Sequence, residues 1–330
     1  MAQMVTIFGG SGFVGRYIAR RMAQAGWRVR VACRNPNEAL FVRTYGVVGQ
    51  VDPIACNIRD DASVSAVIDG ADAVINCVGI LDERRANTFE AVQEEGAARV
   101  ARLSAQHGVA RLVHISAIGA DENSASEYAR TKAAGEAAVL EHMPRAVILR
   151  PSIIFGPEDD FFNRFGEMTR ISPIVPVVGA KTRFQPVYVD DVAKAAELAA
   201  TGNAAPGVYE LGGPDVESFY DLMHRMLKVI RRRRAVMSLP FWMGSLMGRV
   251  FGIANWLSFG IVPKPVTVDQ VRNLRNDNVV SEDAKGFEEL GIKPVAMEAV
   301  LPDYLWRFRP QGQYSEITAS AQNLRHDSNG

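Results

Sequence analysis

The chain has 330 residues, 48% of them hydrophobic, which is more than one ordinary domain needs and supplies a sizeable core. Lysine plus arginine and aspartate plus glutamate number 37 each, so the net charge is zero and there is no global electrostatic attraction to nucleic acid. Three cysteines, without C-x-x-C or metal-ligand spacing, exclude a disulfide framework and a cysteine metal centre.

The first element is the apolar strand Val5-Thr6-Ile7-Phe8, which begins almost at Met1. With neither a signal peptide nor an Arg-rich transit peptide ahead of it, the expectation is a bacterial protein on the cytosolic side, or an already processed one. The strand runs into Gly9-Gly10-Ser11-Gly12-Phe13-Val14-Gly15 and then the helical pattern Phe13, Val14, Ile18, Ala19, Met22. Strand, glycine turn and helix N-terminus together make a backbone cradle for a dinucleotide pyrophosphate. A second strand, Arg28 to Cys33, ends without the acid that would accept from an NAD ribose. Arg34 stands just past that position and Arg16 follows the last glycine, so two guanidiniums can clamp a 2′-phosphate. NADP(H) is therefore expected over NAD(H), the alternative being two solvated surface arginines.

Further strand signals fall at Ile54 to Cys56, Ala73 to Val78, Arg111 to Ser116 and Ala146 to Arg150, with helical patterns between most of them. This alternation predicts an α/β fold, a Rossmann-type doubly wound parallel sheet, with residues 1–150 as the nucleotide-binding domain. Cys33, Cys56 and Cys77 each close a strand-like segment and read as small buried hydrophobes in a reducing compartment. After Pro151, six prolines from Pro157 to Pro214 break the rhythm into short elements. A smaller α/β lobe over 151–310 is expected, returning to the sheet near Val187-Tyr188-Val189 and Val208-Tyr209-Glu210-Leu211. From about Gln311 the composition turns polar, so 311–330 is expected to be disordered when the protein is alone.

Tyr128-Ala129-Arg130-Thr131-Lys132 falls on the helix after the fifth strand, where the i and i+4 positions share a face. An ammonium there can lower the phenol pKa and hold a nicotinamide ribose, while Ser116 at the preceding strand end can donate to a substrate carbonyl. With the glycine cradle, this resembles the extended and atypical short-chain dehydrogenase/reductase superfamily. Asn76-Cys77-Val78-Gly79, Leu149-Arg150-Pro151-Ser152-Ile153-Ile154-Phe155-Gly156-Pro157 and Tyr188-Val189-Asp190-Asp191-Val192-Ala193 extend the resemblance over roughly residues 5 to 215. Two positions depart from the family pattern: Asn57 stands where Asp is frequent near adenine, and Ala117 where many members carry a second Ser.

The resemblance implies cofactor contacts at Gly9, Ser11, Gly12, Phe13, Val14, Gly15, Arg16, Arg34, Asn57, Ile58, Cys77, Val78 and Gly79. It adds Ser116, Tyr128, Lys132, Pro151 and Ile153 at the nicotinamide end, with Ser116, Tyr128 and Lys132 as a catalytic set, working or vestigial. The alternative is that Lys132 serves only as a ribose ligand and Tyr128 only packs.

Arg231-Arg232-Arg233-Arg234 precedes Ala235 to Val262, a stretch whose only charge is Arg249 and which contains Trp242, Phe251, Trp256 and Phe259. Pro240, Gly244, Gly248, Gly252 and Arg249 argue against a continuous membrane span. Two short amphipathic segments at an interface, with the basic run facing anionic lipid or an acidic partner, fit the pattern; the alternative is a buried helical pair.

With Phe184-Gln185-Pro186-Val187 and the ending Leu301-Pro302-Asp303-Tyr304-Leu305-Trp306-Arg307-Phe308-Arg309-Pro310, the chain resembles the nucleotide-binding accessory subunits of respiratory complex I, in their bacterial form. The resemblance implies tightly bound NADPH off the electron path, partners in the peripheral and membrane arms, anionic lipid at the surface, and a peripheral position on the cytoplasmic face of a bacterial inner membrane. Two other readings stay open: a free NADP-dependent reductase, epimerase or dehydratase using Ser116, Tyr128 and Lys132, and a redox sensor whose partner affinity follows NADP(H) state.

Overall fold

A computed structural model describes residues 2–83, 86–257, 267–310 and 312. The polar tail expected from Gln311 lies outside the described residues, Gly312 apart, and so does the end of the apolar stretch, 258–262. The elements of the first half are β1 (Met4–Phe8), α1 (Phe13–Gln24), β2 (Arg28–Cys33), β3 (Val51–Ala55), α2 (Asp61–Ile68), β4 (Ala73–Asn76), α3 (Glu95–Gln106), β5 (Arg111–Ile115), α4 (Glu127–His142) and β6 (Val147–Pro151). There follow β7 (Ile154–Phe155), α5 (Phe161–Ile171), β8 (Ile174–Val178), β9 (Arg183–Phe184), β10 (Val187–Tyr188), α6 (Val189–Thr201) and β11 (Gly207–Leu211). The last are β12 (Glu217–Ser218), α7 (Phe219–Val229), β13 (Ala235–Leu239), α8 (Phe241–Leu257), α9 (Val268–Asn273) and α10 (Met297–Leu305).

Seven parallel strands form the main sheet in the order β11-β6-β5-β4-β1-β2-β3. The chain winds outward from β1 through β2 to β3, then crosses back through α2 to β4 on the other side of β1. That reversal leaves a crevice at the carboxyl ends of β1 and β4, where doubly wound sheets bind ligands. Both faces are covered, because alternate residues point to opposite sides. Val5 and Ile7 pack with Ile18 and Met22 of α1 and Ala193 and Ala196 of α6, whereas Phe8 and Val74 pack with Val64, Val67 and Val100 of α2 and α3.

Helices α1 and α6 are also tied electrostatically. Arg21 donates from Nε and Nη2 to Asp190 at 3.0 and 2.7 Å and from Nη1 to Glu197 at 3.2 Å. The V-D-D-V-A segment thus begins α6 with one aspartate on α1, while the other, Asp191, accepts from Val295 N at 2.7 Å.

Strand ends differ from the sequence expectation for identifiable reasons. β3 starts at Val51 rather than Ile54, because it is an edge strand and tolerates Pro53, whose missing N–H costs no ladder bond there. β4 stops at Asn76 because the Asn76 side chain accepts from Val78 N at 3.1 Å and turns the backbone out of the ladder. Val187-Tyr188-Val189 does not return to the main sheet: Val187 and Tyr188 pair only with β7, and Val189 begins α6. Val208 to Leu211 does return, as β11 beside β6.

The smaller lobe has its own core of Phe155, Phe162, Phe184, Phe219, Leu222, Met226, Leu301 and Phe308. Its apolar stretch is not two amphipathic segments. It is a strand, β13, paired in parallel with β8, followed by the single helix α8. Gly244 and Gly248 of α8 face inward: a Cβ on Gly244 would lie 2.8 Å from Val178, and one on Gly248 would lie 2.9 Å from Val268 N. Trp242, Leu246 and Val250, spaced four apart, are left exposed on the outer face. No described helix is long and apolar enough to cross a membrane.

The turn from β1 into α1 depends on close backbone contact, since a Cβ on Gly15 would overlap the carbonyl oxygen of Gly9. Gly15→Ala is expected to destabilise the chain by about 1–3 kcal/mol, the usual cost of overpacking. Denaturant unfolding of the two proteins without nucleotide measures it.

Candidate functional site

The crevice at the β1–β4 reversal begins with a turn that only glycine serves well. Gly9 has φ 71°, and Gly12 N donates to Gly9 O at 2.9 Å, closing the turn under the start of α1. Helix α1 has no side-chain cap and no acidic residue in its first turn. Its first amides and the positive end of its dipole are therefore available to a diphosphate.

Around this turn lies a cavity of about 580 Å3. Gly9, Ser11 and Gly12 form one wall, Cys33 and Arg34 follow β2, Asn57, Ile58 and Arg59 follow β3, and Cys77, Val78 and Gly79 follow β4. Nine sequence-derived cofactor positions line it together: Gly9, Ser11, Gly12, Arg34, Asn57, Ile58, Cys77, Val78 and Gly79. The remaining ones sit outside this wall. Phe13, Val14 and Gly15 belong to the first turn of α1 and pack it onto the sheet and the Gly156 loop.

Arg16 and Arg34 are not equivalent. Arg16 donates to the Ser11 and Gly12 carbonyls at 3.2 Å each, meets Glu158 at 3.6 Å and stacks 4.9 Å over Phe41. Arg34 lines the cavity with no hydrogen-bond or ion-pair partner among the described residues. Arg34 has Arg59 on the same wall. Arg59 was not among the sequence-derived positions. It is held by a bond to Ala86 O at 2.7 Å, a contact 27 residues away that no local pattern announces.

The nicotinamide end is built from α4, β5 and β6. Ser126 caps α4, and Asp269 of α9 reinforces the cap, accepting from Ser126 Oγ at 2.7 Å, Glu127 N at 2.8 Å and Tyr128 N at 3.1 Å. Lys132 is 4% exposed, donates to Ile115 O at 3.2 Å and faces Gly79, where a Cβ would sit 3.2 Å from Nζ. Gly79 thus joins the two halves of the crevice. Ser116 Oγ donates to Glu136, which also receives a bidentate grip from Arg150 at 2.6 to 3.1 Å. Pro151 ends β6, accepting from Ile118 N, and Ile153 N donates to Asn278 at 3.1 Å.

Electrostatics differ from the sequence expectation at Tyr128. Burial pushes the phenol up to about 12, and Lys132 does not lower it. The reason is geometric: the Lys132 ammonium is turned to the Ile115 carbonyl, while the Tyr128 ring packs edge-on against Phe89 at 5.9 Å. Burial lowers Lys132 to about 8, partly offset by Glu136, and holds Cys77 up at about 12 and His114 down at about 3. Cys33 and Cys56 are raised by burial too, so all three thiols stay protonated and behave as apolar groups.

A nicotinamide dinucleotide fits this crevice. Glycines keep the pyrophosphate position clear of Cβ atoms, and the buried Gln93 Oε1 has no partner among the described residues near Gly79 and Lys132. The glycine turn and α1 amides would hold the diphosphate, Asn57 and Ile58 the adenine side and Lys132 the second ribose. Such a group supplies hydride transfer when bound.

The NAD dependent epimerase/dehydratase family model matches residues 5–212. Over 96% of this chain and 81% of its own length, subunit 9 of the NADH dehydrogenase [ubiquinone] 1 alpha subcomplex, mitochondrial, of Arabidopsis thaliana is 34% identical. The Mus musculus protein of the same name is 32% identical over 93% of this chain and 80% of its own. A ceramide reductase of Caulobacter vibrioides is 33% identical over 58% of each chain. Among solved structures, the UDP-glucose 4-epimerase of Thermus thermophilus in complex with NAD superposes with a TM-score of 0.67 at 20% identity, covering 93% of this chain and 99% of that one. The shared fold, the glycine cradle and the near full-length similarity agree: this chain belongs to the NAD dependent epimerase/dehydratase family, in the branch that includes subunit 9 of the NADH dehydrogenase 1 alpha subcomplex.

Proposed function

We propose that this protein is a nucleotide-binding accessory subunit of respiratory complex I, with NADPH held as a structural ligand. The observation that carries the reading is similarity to complex I subunits over nearly the whole chain, smaller lobe included, whereas the reductase relative matches little more than half. Two features of the site support a structural nucleotide. The Ser116 hydroxyl is committed to Glu136, and Tyr128 is neither activated by Lys132 nor part of the cavity wall. NADPH rather than NADH is favoured by Arg34, which has no partner among the described residues, and by the absence of an acid at the end of β2.

The subunit would sit peripherally on the cytoplasmic face of a bacterial inner membrane, at the junction of the peripheral and membrane arms. The outer face of α8 supports this position, with Trp242 65% and Leu246 52% exposed. Burying such side chains yields about 1.5–3 kcal/mol each, against about 1 kcal/mol for each basic residue near an anionic surface. Apolar contact and the charge of the four preceding arginines would then contribute on the same scale.

A second reading is a free NADP-dependent reductase acting through Ser116, Tyr128 and Lys132. The ceramide reductase relative and the intact Tyr128–Lys132 pair favour it.

Three measurements test these proposals. Nucleotide extracted from the purified protein is expected to be NADP(H), and Arg34→Ala to weaken NADPH binding by about 10- to 150-fold, the loss of a charge-assisted phosphate contact. Recovery of NAD(H) with no effect of Arg34→Ala contradicts this. In membranes solubilised in mild detergent, the protein is expected to comigrate with complex I, and Tyr128→Phe to leave NADH:quinone activity intact. A collapse of that activity in an assembled Tyr128→Phe complex restores a catalytic role.

The last test is pH. If the ammonium form of Lys132 holds the ribose, NADPH affinity is full below pH about 8 and falls as pH rises through the lowered Lys132 pKa, with Lys132→Met flattening the profile. For the nucleotide-free chain the sign reverses. Between about 8 and the ordinary 10.5 the unfolded state binds more protons, so the Lys132 contribution to stability rises with pH.

A further inference from the structure

Arg16 stands beside the nucleotide crevice without forming its wall, and its contacts show what holds it there. The guanidinium donates from Nε to Gly12 O and from Nη2 to Ser11 O at 3.2 Å each, and both carbonyls belong to residues of the wall. It stacks 4.9 Å over Phe41, in the helical turn Pro36–Tyr45 that follows Arg34. Arg16 is thus placed between the glycine turn and the segment leading away from Arg34, where a phosphate on the adenosine ribose would lie in reach of both arginines.

The third arm of the guanidinium, Nη1, meets Glu158 Oε1 at 3.6 Å, an ion pair too long to be a hydrogen bond. The two side chains are 27% and 40% exposed, so water screens the pair. Glu158 is the better anchored partner. It accepts from the hydroxyl of the buried Tyr17 at 2.8 Å. Its chain neighbours are pinned too: Asp159 accepts from Gly156 N and Asn163 N at 3.1 Å each and from the Tyr304 hydroxyl, and Asn163 and Arg307 donate to Pro157 O at 3.1 and 3.2 Å. When the pair opens, Arg16 is therefore the partner that turns.

We infer that Glu158 is a specificity-determining residue of the nucleotide site, competing with the ribose 2′-phosphate for Arg16. The inference rests on the NADPH reading above and adds the residue that sets how sharply NADPH and NADH are told apart. A phosphomonoester carries a charge of about −1.5 to −2 and three acceptor oxygens that fit the guanidinium fork. Glu158 offers one charge, beyond hydrogen-bond distance. The phosphate therefore takes Arg16, and Glu158, still bonded to Tyr17, is not stranded when the guanidinium leaves. NADH has no such phosphate and leaves the pair closed. Glu158 thus subtracts from NADPH affinity alone, and holds the discrimination below what Arg16 and Arg34 would give unopposed.

The test measures dissociation constants of NADPH and NADH for the full-length protein and its variants by titration. Glu158→Gln keeps an oxygen for the Tyr17 hydroxyl and loses the charge. It is expected to tighten NADPH binding about two- to fivefold, the usual worth of a screened ion pair, and to leave NADH binding unchanged. Glu158→Ala, which gives up the Tyr17 bond as well, should keep the sign of the NADPH effect. In an Arg16→Ala background Glu158→Gln should have no effect on either nucleotide, because the residue acts only through that guanidinium. Weaker NADPH binding by Glu158→Gln overturns the inference, as does an equal change for both nucleotides or an effect that persists without Arg16. The unaltered protein separates the two claims. Equal affinity for NADPH and NADH counts against the NADPH reading and the inference together, whereas a clear NADPH preference that Glu158→Gln leaves untouched overturns the inference alone.

Discussion

A single buried carboxylate organises the centre of this molecule. Glu136 is 4% exposed, so its charge must be met by protein groups rather than water. Arg150 meets it with a bidentate pair and also reaches Glu210 at 3.6 Å, while Ser116 donates its hydroxyl from the end of β5. Glu210 in turn accepts from Ser281 N at 2.8 Å, drawing in a segment far along the chain. Two ion pairs that share Arg150, with the Ser116 hydrogen bond, thus join α4, β5, β6 and β11. Removing either partner of such a pair typically costs about 3–5 kcal/mol, because it strands a charge in low dielectric. The same bond commits the one hydroxyl proton of Ser116 to Glu136.

The two halves of the crevice are built on different physics. On the side of the glycine turn the wall is largely backbone: the turn itself, uncapped α1 amides and the ends of three parallel strands. Such a surface is rigid before any ligand arrives, which lowers the entropic cost of binding. On the nicotinamide side the groups are side chains, most of them buried and engaged with one another. Lys132 is lowered to about 8 and Tyr128 raised to about 12, both mainly by burial. Burial thus moves the phenol away from the working pH and the ammonium toward it.

The smaller lobe reaches both regions. Tyr304 of α10 donates to the buried Asp159 at 2.5 Å, and Asp159 accepts from Gly156 N beside Phe13 of α1. Asp269, one helix on from the exposed face of α8, caps the helix that carries Tyr128 and Lys132. The surface that presents Trp242 and Leu246 is therefore connected to the nucleotide crevice by packed elements rather than by a loose tether.

Much of this was determined by sequence alone, and the division has a physical basis. Glycines with forced spacing, alternating strand residues and an i, i+4 pair on one helix face are local constraints, so the parallel sheet, the turn at Gly9 to Gly15 and the face shared by Tyr128 and Lys132 are readable from short windows. The sequence also places Arg34 at a strand end without an acid. Only the tertiary structure decided which of two arginines lines the cavity, because Arg16 is claimed by carbonyls and by Glu158, far along the chain. It likewise decided that Val187-Tyr188 pairs outside the main sheet, that Gly244 and Gly248 of the apolar stretch face protein, and that Asp269 caps α4 across 141 residues. Periodicity tells which face of an element is apolar. It does not tell what packs against that face, because burial, hydrogen-bond competition and desolvation are set by residues that only folding brings together.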